Sequence, residues 1–498
     1  MRQRLRFYLG DELREFDAVD PTLTVLDWLR LSERRVGTKE GCAEGDCGAC
    51  TVVVGRLDGD RLRYEALNAC IRFLATLDGC RLLTVEHLKG PDGALHPVQQ
   101  AMVDCHGSQC GFCTPGFVMS LLALYLNEER PDGQRIDDAL AGNLCRCTGY
   151  EPIVRAAHAM YDIGGQGGGQ GGDREADRFA DREVWADRLT ALRDGEILSV
   201  GAGGRRFLAP ATVPQLAQLL LDNPGATIVA GATDVGLWVT KFQRVLATVI
   251  YTGRVRDLRR IEDRGDALVI GAGVTYSDAA ERIAALYPDF GELIRRIGAE
   301  QVRNMGTIGG NIANGSPIGD SPPALIACGA TLRLRRGDET RELPLEDFFI
   351  EYGKQDRREG EFVEAVILPK PAAGVRFRAY KIAKRFDQDI SAVCGAFRLT
   401  LDGEGRVADI RIAFGGMAGT PKRAAGAEAV LLGRHWTEET VVQAMDALAG
   451  DYTPLSDWRA SAGYRSMVAA NLLMKLYVET SDPAADTRLV GDRRLAHA

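Results

Sequence analysis

At 498 residues the chain has room for about three or four domains, each with its own hydrophobic core. Its 45% hydrophobic and 26% charged content is that of a globular protein, and a net charge of −8 argues against a nucleic-acid binder, which needs a basic face. No apolar run reaches the roughly 20 residues of a membrane span. The basic start Met1–Gly10 is not followed by the apolar stretch of a signal peptide, so a cytoplasmic protein with reduced thiols is expected.

Residues 1–85 read as short strands with one helix. Arg4–Leu9 alternates, Glu15–Val19 does so in part, and Gly10-Asp11 between them is a hairpin signal. Thr22–Arg30 reads as a helix with Leu23, Leu26, Trp28 and Leu29 to bury, and Thr51–Val54 and Arg81–Glu86 read as strands. Between them lies Gly41-Cys42-Ala-Glu-Gly45-Asp-Cys47-Gly48-Ala-Cys50, followed by Cys70. This is the C-x4-C-x2-C…C spacing of plant-type ferredoxins, which hold a [2Fe–2S] cluster on four thiolates. Gly41, Gly45 and Gly48 permit the positive φ that turns three thiols inward. A zinc site is the bland alternative, but zinc favours paired C-x2-4-C knuckles.

From about residue 86 the period becomes helical. Helices are expected after His96-Pro97, from Thr114-Pro115 with Thr114 as cap, and from Glu151-Pro152, giving four short helices in all. Cys110-Gly-Phe-Cys113 and Cys145-Arg-Cys147 form a second set of four thiols. By spacing alone they could hold zinc or a second cluster. Helix N-termini beside them would favour thiolates. Cys80, Cys105, Cys328 and Cys394 have no partner spacing and read as buried apolar thiols.

Gln109–Gly116 together with Asn143–Tyr150 resembles the α-helical [2Fe–2S] domain of the molybdenum hydroxylase family, which includes xanthine dehydrogenases, aldehyde oxidases and carbon monoxide dehydrogenases. The resemblance implies a cluster on Cys110, Cys113, Cys145 and Cys147 nearest the molybdenum centre, with Gln109 beside the partner's pterin. It implies a β-grasp ferredoxin-like domain at 1–85, a helical cluster domain at 86–163, a mixed α/β FAD domain at 196–375 that is not a Rossmann fold, and a small α/β C-terminal domain at 376–482.

The Gly-rich stretch 164–172 opens an expected linker, 164–195. It matches G-x-G-x-x-G only formally, because no strand precedes it. Further on, Pro214–Leu221 reads as a helix and Ala226–Ala230 as a buried strand. Two glycine-rich stretches follow, Ile228–Gly236 and Gln301–Asp320, where bare backbone could approach a phosphate or ring or merely turn the chain. By resemblance, Val229, Ala230, Gly231, Ala232, Thr233, Asp234 and Val235 line the FAD pyrophosphate. Thr307, Ile308, Gly309, Gly310 and Asn311 meet the flavin, with Asn314 a further polar anchor. Asp320 binds a polar part of FAD, and Lys381 lies near the isoalloxazine. Ile297 stands where some members have an aromatic, leaving apolar contact in place of stacking. Tyr380–Ile390 is either the family's loop near the flavin or a solvated charged turn. Phe377–Lys381 opens the last unit, Tyr464–Tyr477 is its closing helix, and 483–498 form a polar tail.

Clusters and FAD on one chain resemble the small subunit of the bacterial xanthine dehydrogenase type. That implies a separate molybdopterin-binding large subunit, an (αβ)2 heterotetramer, and NAD+ as acceptor, with no hydroxylating residue on this chain. The same relay in an aldehyde or aromatic-heterocycle hydroxylase, or a zinc-holding scaffold, are the rival readings.

Overall fold

A computed structural model describes residues 1–90, 93–163, 179, 181–482, 484, 485 and 487. The whole Gly-rich stretch 164–172 and nearly all of the 483–498 tail lie outside the described residues. The chain forms two compact units: Met1–Leu219 with Gly225–Val255 and Gly298–Gly306, and Leu220–Pro224 with Arg256–Ile297 and 307–498. Segments of the expected FAD domain therefore fall in both.

The first unit starts with a five-stranded sheet in the order Glu12–Phe16, Leu5–Leu9, Arg81–Leu83, Thr51–Asp58, Arg61–Asn68. Leu5–Leu9 runs parallel to Arg81–Leu83, and the other pairings are antiparallel. Alternation along a strand sends successive side chains to opposite faces. Val52 and Val54 thus enter a core with Leu5, Phe7 and Trp28, while Val53 enters another with the helices Pro97–Asp104, Thr114–Asn127, Gly133–Leu140 and Glu151–Ile163. A four-stranded sheet, ordered Leu198–Ala202, Arg205–Ala209, Thr248–Tyr251, Thr227–Val229, closes the first of these cores with Val200, Phe207, Val229 and Val249.

Several expectations change. Thr22–Arg30 is not one helix: Thr24 caps a single turn, Val25–Asp27, which widens into a π-type turn at Trp28–Ser32, although Leu26, Trp28 and Leu29 are buried as expected. The strand from Arg81 ends at Leu83, and a 3-10 turn follows at Val85–His87. Cys113, not Thr114, occupies the cap position of the Thr114–Asn127 helix, and the Thr114 hydroxyl is taken up by Ser108 Oγ at 2.7 Å. Inside the stretch expected as linker, Arg182–Thr190 forms a helix capped by Asp181. It buries Trp185 and Leu189, and Trp185 lies under the Arg81 guanidinium at 3.5 Å. The strand near 226–230 is short, and only Val229 in it is buried. Cys328 and Cys394 are buried, but Cys80 and Cys105 are only half-buried.

Besides a two-stranded sheet of Phe349–Glu351 and Lys354–Gln355, the second unit contains two larger sheets, each at a core of its own. One is antiparallel, in the order Ile261–Asp263, Ala267–Gly271, Phe362–Pro369, Thr331–Arg336, Glu339–Pro344, and is backed by the helices Tyr276–Ala284, Pro288–Arg295, Ile308–Asn314 and Ser321–Cys328. The other orders Arg376–Ile382, Val393–Leu401, Val407–Gly415 and Lys422–Arg423 against Ala425–Leu431, Glu438–Asp451 and Ala462–Ser481. No helix among the described residues is long and apolar enough to cross a membrane.

Candidate electron-transfer site

Three thiols of the first set, Cys42, Cys47 and Cys50, are held on the loop before the strand Thr51–Asp58, and Cys70 follows the strand Arg61–Asn68. Gly45 and Gly48 adopt φ of +79° and +70°, whereas Gly41 is not left-handed. The fold makes Gly48 obligatory: a Cβ there would meet Gly142 O at 2.1 Å. The peptide N–H groups of Asp46 and Cys47 both point at Cys42 Sγ, each at 3.3 Å. The Asn68 side-chain amide faces Cys50 Sγ at 3.9 Å.

In the first set each thiol interacts with one or two of the others, and in the second Cys110 faces Cys147 and Cys113 faces Cys145. Cys42 is held well below the ordinary thiol value by the thiols of Cys47 and Cys70, and those two are pushed up in turn. Cys50 is lowered by Cys70. In the second set, Cys110 is lowered by the Phe112 N–H and by Cys147, which is raised through Cys110. Burial and Cys145 push Cys113 up to about 12. Burial opposes ionisation of Cys145, but the Thr148 hydroxyl at 3.2 Å and neighbouring N–H groups outweigh it.

Among the described residues no three Cys, His, Asp or Glu side chains converge as one metal ion would require. Four thiols in each set are the number of thiolate donors that a [2Fe–2S] cluster takes. The N–H donors aimed at sulfur fit such an anionic group, since hydrogen bonds to the sulfurs tune its potential. In the second set Cys110 and Cys147 are exposed, and the adjoining Gln109, Phe112, Leu144 and Tyr150 are exposed with them.

A buried polar knot joins the two thiol loops. Asn143 Oδ1 accepts from Ser120 Oγ at 2.6 Å and from Gln301 Nε2 at 3.0 Å, and Asn143 Nδ2 donates to Gly48 O at 3.2 Å. Next to it, the Leu144 N–H donates to Cys47 O at 3.0 Å. A single hydrogen bond thus links a member of one set to the residue before Cys145 of the other. Gln301 is completely buried and sits on a segment anchored twice more, by Glu300 to Arg135 at 2.6 Å and by the Asn304 amide to Ala66 O at 3.0 Å. Neither Asn143 nor Gln301 received a role from sequence. The available signal was the placement of Asn143 two residues before Cys145.

The expected FAD residues divide between the two units. In the first, the strand Thr227–Val229 ends where the Thr252 N–H donates to Val229 O at 2.9 Å. Gly231 lies so close to the Met305 carbonyl that a Cβ would sit 1.9 Å from its oxygen, and Ala232 takes φ of +61°. The tight turn leaves Asp234 exposed, with its carboxylate accepting from Trp238 Nε1 at 3.0 Å, and leads into the helix Val235–Thr240. Ala230, Gly231, Thr233 and Val235 are half-buried. Backbone bared in this way fits a pyrophosphate.

In the second unit, Thr307 is the cap of Ile308–Asn314, and its hydroxyl accepts from the Gly310 N–H at 3.0 Å. Gly309 is wedged against Ala272, where a Cβ would come within 2.3 Å of the alanine methyl carbon. Gly310 and Asn314 are exposed, and Asn311 Oδ1 accepts from Ser321 Oγ at 2.8 Å. Asp320 does not face outward: its carboxylate accepts from Lys381 Nζ and from Ser391 Oγ, both at 2.5 Å, and all three residues are buried. Asp320, expected to bind a polar part of FAD, and Lys381, expected near the isoalloxazine, form an internal pair. Ile297 is half-buried against the local core. Arg296, beside it, stacks on Phe386 at 4.4 Å and donates to the Phe386 and Lys381 carbonyls, which ties down part of the charged Tyr380–Ile390 turn.

Comparison with known proteins gives four family matches in chain order. Residues 7–74 match the 2Fe-2S iron-sulfur cluster binding domain, and 84–158 the [2Fe-2S] binding domain. Residues 202–371 match the FAD binding domain in molybdopterin dehydrogenase, and 378–480 the CO dehydrogenase flavoprotein C-terminal domain. The chain thus carries two [2Fe–2S]-binding domains and an FAD-binding domain. It is 33% identical to xanthine dehydrogenase of Emericella nidulans over 95% of this chain and 38% of that protein. It is 29% identical to human aldehyde oxidase over 96% of this chain and 39% of that protein. The chain therefore spans about two fifths of the length of these curated relatives. Among solved structures, carbon monoxide dehydrogenase from Hydrogenophaga pseudoflava aligns at 30% identity with a TM-score of 0.52, covering 54% of this chain and 94% of that one.

Proposed function

Because the chain belongs to the molybdenum hydroxylase family, whose cluster and FAD domains it carries, we propose that it is the electron-transfer part of a xanthine dehydrogenase. Cys110, Cys113, Cys145 and Cys147 hold the cluster that receives electrons. Cys42, Cys47, Cys50 and Cys70 would hold the next, Val229–Val235 and Thr307–Asn311 would be residues that hold FAD, and NAD+ is the acceptor. The source is a molybdopterin centre on a partner subunit, in a cytoplasmic (αβ)2 assembly acting on hypoxanthine and xanthine. When bound, these groups supply the one-electron steps and the change from one- to two-electron chemistry; the protein sets spacing and potential.

The observation that carries this reading is the gathering of eight thiols into two sets of four within the two matched domains, joined by the Leu144 N–H to Cys47 O bond. The chain's own residues have separate tasks. The Asp46 and Cys47 N–H groups stabilise negative sulfur, and Gly48 and Asn143 fix the gap between the loops. The bare backbone at Gly231 receives phosphate. The exposed rim of Gln109, Phe112, Leu144 and Tyr150 suits a partner's approach to the exposed Cys110 and Cys147.

The relatives named aldehyde oxidase favour a second reading, the same relay serving an aldehyde hydroxylase. The test is the purified complex. About four iron and four acid-labile sulfide per chain are expected. The Cys113→Ser variant should lose purine-dependent NAD+ reduction while keeping flavin. Turnover unchanged in that variant refutes the route, and activity on aldehydes but not purines selects the second reading.

A further inference from the structure

The short helix Val235–Thr240 begins where the expected phosphate turn ends, and its far end sits on the first thiol loop. Thr240 Oγ1 donates to Ala43 O at 2.8 Å. Lys241 Nζ donates to Cys42 O and lies 3.5 Å from Glu44 Oε2. At the helix start, Gly236 lies against Ile71, the residue after Cys70; a Cβ there would come within 2.6 Å of the Ile71 carbonyl oxygen. The helix therefore touches the chain beside a thiol from each half of the first set.

A cation on the Cys42 carbonyl does more than hold the loop. Cys42 Sγ already receives two peptide N–H groups, and a positive charge bonded to the same residue adds to that potential. Reduction adds negative charge to a cluster, so a nearby cation favours the reduced form and a nearby carboxylate opposes it. Lys241 and Glu44 act in opposite directions from the same side of the loop. The Lys241 side chain is 37% exposed, so salt weakens its influence without abolishing it.

We propose that Lys241 is a positioning residue that raises the reduction potential of the cluster on Cys42, Cys47, Cys50 and Cys70, and that Glu44 counters it. The effect eases arrival of electrons at that cluster. This rests on the cluster assignment above.

The test is an anaerobic redox titration of the intact complex, followed by electron paramagnetic resonance of both iron–sulfur signals. Lys241→Gln should lower the midpoint of one signal and leave the other in place, and the drop should shrink as salt is raised. Glu44→Gln should move the same signal upward. Thr240→Val, which removes a hydrogen bond but no charge, should leave both midpoints unchanged. An unmoved midpoint in Lys241→Gln, an equal shift of both signals, or a shift in Thr240→Val as large as in Lys241→Gln overturns the inference. Wild-type protein lacking both signals instead overturns the cluster assignment on which it stands.

Discussion

Replacing Asn143 with Ala tests the knot between the thiol loops. Asn143 is 3% exposed, and its side chain makes three hydrogen bonds of 3.2 Å or less, with the Ser120 hydroxyl, the Gln301 amide and the Gly48 carbonyl, and a longer fourth to Thr51 Oγ1 at 3.4 Å. Each buried hydrogen bond contributes about 1 kcal/mol, so losing the three costs about 3 kcal/mol, although Ser120 and Gln301 keep each other at 3.1 Å and Gly48 O keeps Thr51 Oγ1 at 2.7 Å. Thr51 Oγ1, 3.4 Å from Gln301 Nε2, can recover part of this. Gln301→Leu should cost less, about 1–2 kcal/mol, because Gln301 Oε1 is already buried without a partner. The assay is urea unfolding of the first unit followed by the visible colour of the clusters. With a slope of a few kcal/mol per molar, Asn143→Ala should lower the midpoint by about 1 M. The double variant should lose at least about 0.5 kcal/mol less than the sum of the singles, since they remove a shared bond. An Asn143→Ala midpoint equal to wild type, or strict additivity, refutes the knot as a stabilising element.

Three further outcomes are expected. Gly48→Ala and Gly79→Ala share a left-handed backbone, but only at Gly48 does a Cβ meet other atoms within 4 Å; Gly48→Ala should cost about 1–3 kcal/mol more in the same urea assay. Lys381→Met strands the buried Asp320 carboxylate, with side chains 2% and 7% exposed in the pair. It should destabilise the second unit by about 3–5 kcal/mol, and adding Asp320→Asn should restore part of that in denaturation followed by tryptophan fluorescence. Burial pushes the Glu361 carboxyl up, but Arg341 and the Arg358 N–H outweigh it and hold it below the ordinary 4.5. A depressed carboxylate stabilises above its unfolded value. The advantage of wild type over Glu361→Gln should therefore be complete above pH 4.5 and close as pH falls through the lowered value; a gap that widens on acidification would contradict this.

The thiols and most elements were legible because they depend on local spacing. Cys42 to Cys50 is one loop, and the Glu151–Ile163 helix buries Ile153, Ala156, Ala157 and Met160 as its period requires. The unread features depend on distance along the chain. Gln301 meets Asn143 across 158 residues, and Lys381 meets Asp320 across 61. No periodicity encodes such a pairing, so the bond between Asp320 and Lys381 was not foreseen. The Thr22–Arg30 stretch failed for a different reason: its apolar spacing is helical, but the backbone widens at Trp28 after a single turn. Trp185 was missed because glycine-rich composition upstream coloured the reading of a short, capped helix.

The discontinuity of the first unit bears on how the protein is made. Domains mature in order as the polypeptide leaves the ribosome. When residue 297 has been synthesised every expected iron ligand exists, yet Gln301, Asn304 and Met305 do not, and all three belong to the interior of that unit. Nascent chains stalled before that point should expose the thiol loops to proteases and oxidants, and the protein's resistance to both should arrive late in translation.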